Sequence, residues 1–422
     1  MDILIKKFAF IIFALTYSFN STANILSVDI NKLSHQNKIE VKYKFSKPIK
    51  ELYFKNAPDK FISKHWLLAS EKPNITISNK TIQLKTPSKH ISLIVTDGFD
   101  TSEMRAYSPY IFMKKQTAVF LDYFLPHQII DASIGSSRAI KPSFKITLQS
   151  EVNKKETFTV NSENVNRYIF IENEGKKIEN RTSFFISQEI PKELNQVITS
   201  SVNTLLDYFE HYFNYTLPQP VEVIVNYNKN KEYIGFEGSA LNGQVVLELS
   251  GKDLLSKSKQ FKTYILHTLA HEAVHLWNGY VWSQAPNSPT WLYEGSTDHL
   301  AYEALLNLEL IPVKHYDYFY QVQLEECKNS LSNKALNNVD NTPYFNSAYS
   351  CGRVIFKKLE QISRKENQVA ILKRLFYNSG KGLYSINTLL DLIQNAQVKD
   401  LIRLISSSEK DALKAFEELM AL

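Results

Sequence analysis

Two histidines and a glutamate in the run His271-Glu272-Ala273-Val274-His275 are the residues best placed to do chemistry. On a helix, residues four apart share a face, so both imidazoles reach one ion. Glu272 sits about 100° round from His271, near enough to address a water on that ion without ligating it. A catalytic zinc takes three protein ligands and keeps its fourth position for water, and a carboxylate commonly completes a two-histidine set. Eighteen residues lie between His275 and Glu294, and Trp291-Leu292-Tyr293-Glu294-Gly295 opens a second amphipathic helix that would pack on the first. Glu294 is therefore the expected third ligand. Asp298, one turn further along the same face, is placed to accept from a ligand imidazole and fix its tautomer.

The arrangement implies metal-assisted hydrolysis of an amide. Zinc lowers the pKa of its water towards ~7, and Glu272 is the expected base, passing the proton on to the leaving amine. Each residue has a plainer reading: a Glu early in a helix compensates the dipole, and a His on an apolar face is usually a packed core group. His267 and His299, helical neighbours of the cluster, are read as packing residues. At the level of the whole protein, the rival is a zinc-containing scaffold that binds a peptide or glycan without turnover. Glu272 argues against it, because a structural site needs no base.

The run from His271 to Gly279, followed by Trp291-Leu292-Tyr293-Glu294-Gly295, resembles the gluzincin metallopeptidases, in particular the aminopeptidase N and glycyl aminopeptidase families. The resemblance covers Gly238 to Phe356. It implies a β-rich domain ahead of a thermolysin-like, mainly helical catalytic domain, with zinc on His271, His275 and Glu294. It also assigns Tyr349, in Tyr349-Ser350-Cys351-Gly352, as donor to the oxyanion. Gly238-Ser239-Ala240-Leu241-Asn242 resembles the substrate-binding segment, which suggests Gly238 and Asn242 as substrate contacts. There the chain departs from the family: Leu241 stands where aminopeptidases carry the Glu that grips the free amine, leaving Glu237 or Glu248 as substitutes, or cleavage that needs no free amine. By the same analogy, Gln244 to Leu249 is the expected edge strand for an extended peptide.

These residues need elements to hold them. The metal helix is expected from Phe261 to Trp277. Before it, Leu194 to Tyr212 carries apolar residues at helical spacing, followed by two short strands, Val221 to Val225 and Gln244 to Leu249. From Asn24 to about Pro191 the texture is that of strands. Lys38 to Phe45 alternates cleanly, with Ile39, Val41, Tyr43 and Phe45 on one face, and similar runs recur at 91–95, 118–121, 144–148, 157–160 and 168–171. The expected fold class is α+β: a leader at 1–23, an all-β domain at 24–190 and a catalytic domain at 191–422, with breaks at Pro343, Gly380 and Gly382 in its helical part.

The 422 residues, 44% hydrophobic and 22% charged, suit two packed domains rather than disorder. Lys and Arg are interspersed with Asp and Glu, so the net charge of +6 forms no stripe for nucleic acid. Lys6 and Lys7 before the apolar run Phe8 to Leu15, then Ser21-Thr22-Ala23, read as a signal peptide cut after Ala23. That run is well short of the ~20 residues that cross a bilayer, so no stable membrane span is expected. A secreted or periplasmic enzyme acting on peptides follows; oligomeric state leaves no trace in the sequence. An oxidising compartment permits one disulfide between Cys327 and Cys351, the other reading being two buried thiols.

Overall fold

The computed structural model describes residues 25–33, 37–69, 75–96, 107–113, 116–132, 139–140, 143–149, 155–161, 165–173, 177–179, 181–254, 258–340, 342–378 and 383–422. The expected leader and the glycines at 380 and 382 lie outside these residues. The chain divides into two compact units, Met1–Gly175 and Lys176–Leu422.

The first unit is built on strands β1 (Ile25–Lys32), β2 (Ile39–Tyr53), β3 (Trp66–Leu68), β4 (Ile75–Ser78), β5 (Thr81–Val95), β6 (Tyr110–Met113), β7 (Gln116–Phe120), β8 (Gln128–Asp131), β9 (Ala139–Ile140), β10 (Ser143–Gln149), β11 (Lys155–Asn161) and β12 (Tyr168–Asn173), with the short helix α1 (Phe61–His65) between β2 and β3. Its larger sheet runs β11-β10-β1-β2-β5-β3, and β12-β7-β6 form a second. Alternation decides which face is buried: Ile39, Val41, Tyr43 and Phe45 are all in the core, as expected. The long β2–β5 pair slips register between Lys44 and Glu51. Pro48 and Pro87 fall in that stretch, and a residue without an N–H cannot complete the ladder.

The second unit opens with a five-stranded sheet in the order β13-β14-β15-β17-β16, where β13 is Lys177–Glu179, β14 Thr182–Ile186, β15 Val221–Asn228, β16 Gly235–Leu241 and β17 Gln244–Ser250. The sheet corrects two expectations. First, β13 and β14 precede Pro191 yet belong to this unit, because β14 pairs in parallel with β15; the division therefore falls after Gly175. Second, Gln244–Ser250 is not the edge strand. It lies between β15 and β16, and its almost unbroken burial is that of an interior strand. The edge is β16, joined to β17 by the turn Asn242-Gly243, where Gly243 takes the left-handed conformation (φ 73°).

Helix α2 (Lys192–Phe213) buries Leu194, Ile198, Val202, Leu205, Phe209 and Phe213 in a stripe of helical period. The next helix, α3 (Ser258–His275), buries Ile265, Leu266, Leu269, Ala270, Ala273 and Val274. Two-residue strands β18 (Ser283–Gln284) and β19 (Leu383–Tyr384) pair across the unit. The remaining helices are α4 (Thr290–Asn307), α5 (Val313–Leu331), α6 (Ser347–Lys365), α7 (Ile371–Tyr377), α8 (Ile386–Leu392), α9 (Ala396–Ser407) and α10 (Ala412–Ala421). Pro289 and Pro312 immediately precede α4 and α5, positions where a missing N–H costs nothing. Cys327 of α5 and Cys351 of α6 form a disulfide.

Candidate metal centre

Helix α3 delivers His271, Glu272 and His275 from its last turns, and α4 packs alongside and delivers Glu294 and Asp298. Three donor atoms converge. His271 Nε2 lies 3.1 Å from Glu294 Oε2 and 3.1 Å from His275 Nε2, and His275 Nε2 lies 3.3 Å from Glu294 Oε2. Ligands about 2.1 Å from a tetrahedral zinc stand roughly 3.4 Å apart, so this triangle has the size of one face of a zinc site.

The far side of each ring supplies a second test. His271 Nδ1 faces Asp298 Oδ1 at 3.2 Å, and His275 Nδ1 faces Thr297 Oγ1 at 3.3 Å and the Asn278 carbonyl at 3.5 Å. Carboxylate and carbonyl only accept, so the Nδ1 atoms carry the protons. Both Nε2 atoms then point at the same spot as a carboxylate, a donor set suited to a cation. His271, His275 and Glu294 fit a metal, and a second grouping, His267, His271 and Asp298, shares His271 with it.

The electrostatics agree. Burial alone would raise the Glu294 carboxyl, but the His275 and His271 imidazoles beside it take it down to about 2. Burial pushes Glu272 up, against the pull of both histidines. Glu272 is 8% exposed and lies under β16: a Cβ on Gly238 would stand 2.5 Å from Glu272 Oε1 and 2.7 Å from the Thr268 methyl. Gly238 is thus what lets the edge strand close over that carboxylate. Tyr349 enters from α6 with its ring 5.7 Å from that of His271, and burial together with the Glu294 and Glu272 carboxylates raises its phenol.

Two expected residues stand elsewhere in the scheme. Asn242 is the exposed turn residue of the β16–β17 hairpin, four positions beyond Gly238. His267 is no mere packing residue, since its Nε2 is 2.7 Å from Asp298 Oδ1. His299 is buried and faces Glu360 at 3.3 Å.

Asn278 escaped the sequence reasoning. It is fully buried and donates through Nδ2 to the Tyr293 carbonyl, Ser296 Oγ and Thr297 Oγ1, while Tyr384 donates to its Oδ1. This clamp holds the end of α3 to the first turns of α4, and His275 stacks on Tyr293 with centroids 4.4 Å apart. The available signal was its place three residues past His275, too common a feature to single it out.

Comparison with known proteins agrees with this picture. The family model described as peptidase of plants and bacteria matches residues 170–311, the span that contains the sheet, α3 and α4. Among solved structures, an aminopeptidase N family protein from Idiomarina loihiensis superposes with a TM-score of 0.66 at 16% identity, covering 91% of this chain and 76% of that one. Native leukotriene A4 hydrolase from Saccharomyces cerevisiae gives a TM-score of 0.47 at 12% identity, with 90% and 66% covered. No curated protein sequence matches. The α+β fold, sheet-rich first and helical after, is that of the aminopeptidase N family protein.

Proposed function

We propose that the protein is a zinc-dependent peptidase whose metal is held by His271, His275 and Glu294. The observation that carries this reading is the triangle of Nε2, Nε2 and Oε2 atoms, 3.1 to 3.3 Å on a side, with a buried carboxylate adjacent. Zinc held there would supply a Lewis acid, lowering the pKa of water in the open position and polarising the substrate carbonyl.

The side chains do the rest. Glu272 takes a proton from the attacking water onto a carboxylate oxygen and hands it to the leaving amine; burial, which disfavours its charged form, suits it to holding a proton between the two transfers. Tyr349 keeps its own proton and donates a hydrogen bond to the carbonyl oxygen as negative charge gathers. Asp298 holds His271 with Nδ1 protonated. A scaffold that used zinc only as a brace would need neither Glu272 nor Tyr349.

The substrate is an extended peptide aligned on the open edge of β16, with Gly238 allowing close approach to Glu272. Alternation puts Phe236, Gly238 and Ala240 on the face towards α3, and none is charged. Glu237 and Glu248 pair across the strands on the other face, with Glu237 bonded to Lys231, and Leu241 also lies on that face. No carboxylate of this hairpin faces the metal helix to take a free amine, so the reading favours peptides recognised through their main chain, with internal or blocked ends. The leader at 1–23 makes the enzyme exported, and the mass of the mature chain tests it: a start at Asn24 is expected.

Quenched peptides with free and blocked N-termini, with and without chelator, test the activity. Cleavage that stops on chelation and does not need the free amine is expected. Glu272→Gln should keep zinc and lose turnover; a variant that still cleaves would remove Glu272 from the role of base.

A further inference from the structure

Asp298 is 1% exposed and accepts from three sides: His267 Nε2 at 2.7 Å and His271 Nδ1 at 3.2 Å on Oδ1, and Gln323 Nε2 at 2.9 Å on Oδ2. Gln323 Oε1 accepts in turn from Arg353 Nη1. Arg353 is fully buried, one helical turn beyond Tyr349 on α6. No ion pair joins it to a carboxylate among the described residues, and its Nε and Nη2 have no hydrogen-bond partner. Its guanidinium lies 3.5 Å from the centroid of Tyr302, whose ring also stacks on His267 at 4.2 Å.

The polarity of this chain runs one way. A guanidinium can only donate, which forces the Gln323 oxygen towards Arg353 and its amide nitrogen towards Asp298. A carboxylate can only accept, so His271 must present Nδ1–H to it and a bare Nε2 to the ion. A buried guanidinium without a carboxylate partner costs stability, and the residue it is coupled to, through one amide, is Asp298. The disulfide ties the same two helices, with Cys327 one turn after Gln323 and Cys351 two residues before Arg353.

Resting on the assignment of His271 as a zinc ligand, we propose that Gln323 and Arg353 are positioning residues of the metal centre. Through Gln323, the buried guanidinium holds Asp298 in the orientation that fixes His271 for zinc. Such outer partners typically change metal affinity by about 10–100-fold.

The test is zinc affinity by competition with a fluorescent chelator, with a thermal melt of each variant. Gln323 is only half-buried, so Gln323→Met should still fold, melting somewhat lower because Arg353 Nη1 and Asp298 Oδ2 lose their partner, and bind zinc about 10–100-fold more weakly. Arg353→Met should weaken zinc in the same way and the double variant no further than the worse single, while Arg353→Lys, which keeps the charge, recovers part of the loss. A folded Gln323→Met with wild-type affinity overturns the proposal, whatever Arg353→Met does. A wild type that binds no zinc overturns instead the metal assignment, and this inference with it.

Discussion

Gly295 and Gly352 meet where α4 and α6 cross, so closely that a Cβ built on Gly295 would stand 2.3 Å from the Gly352 Cα. Each glycine is adjacent in space or sequence to a residue of the centre: Gly295 follows Glu294, and Gly352 lies three residues after Tyr349 on the same helix. The close crossing is how a tyrosine from α6 comes to stand beside a carboxylate from α4.

Gly352→Ala should therefore damage both fold and site. The added methyl would meet the Gly295 Cα at 2.5 Å and the Trp291 carbonyl at 2.6 Å, backbone atoms that cannot rotate away. A loss of roughly 1–3 kcal/mol in a denaturant melt is expected. Turnover should fall more than zinc content, because the helix displaced is the one that carries Tyr349. Unchanged stability would mean that the helices can separate freely.

Gly238→Ala should act on the reaction and leave the metal alone. Its methyl collides with the end of Glu272 and with the Thr268 methyl, side-chain atoms that can yield, so the fold survives while the base is moved. We expect at least about a tenfold fall in kcat, part of the roughly 10²–10⁴-fold that general-base catalysis contributes, with zinc content unaltered. A variant as active as the wild type would detach Gly238 from the site.

The spacing of His271, Glu272, His275 and Glu294 was legible because the chemistry dictates it: one ion, two helices, ligands on facing sides. What escaped was non-local. His267 reads as a lone packing histidine because its partner, Asp298, comes from another helix. The edge strand was misplaced because alternation tells which face a residue takes and not which strand is its neighbour. The near-continuous apolar run Val245-Val246-Leu247 already carried the mark of an interior strand, and Asn242-Gly243 that of a hairpin. The unit boundary was expected too late because Pro191 marks where a helix begins, whereas the sheet of the second unit begins with β13 and β14, whose texture matches that of the strands before them.

The disulfide closes a loop with a sequence separation of 24 residues between two helices of the helical part. Replacing both Cys327 and Cys351 by Ser should lower stability by about 3 kcal/mol, the chain entropy returned to the unfolded state. Chemical denaturation in oxidising and reducing buffer measures it; equal midpoints in the two buffers would contradict it.

Acid should expose the His299–Glu360 pair. Burial alone would raise the Glu360 carboxyl, but His299 and Arg364 draw it below the usual carboxylate range. A carboxyl lowered on folding contributes stability above its unfolded pKa of about 4.3 and loses it as the pH falls towards the folded value. Urea midpoints measured from pH 7 to pH 3 should therefore drop less steeply in Glu360→Gln than in the wild type. Parallel curves would show that the pair makes no such contribution.

The central claim is that His271, His275 and Glu294 hold a single ion, and mass-spectrometric metal analysis of the purified wild type beside Glu294→Ala tests it most directly. We expect one zinc per wild-type chain and a stoichiometry well below one in the variant after dialysis against a weak chelator. Wild-type protein without zinc, or a variant that retains a full equivalent, would contradict the account.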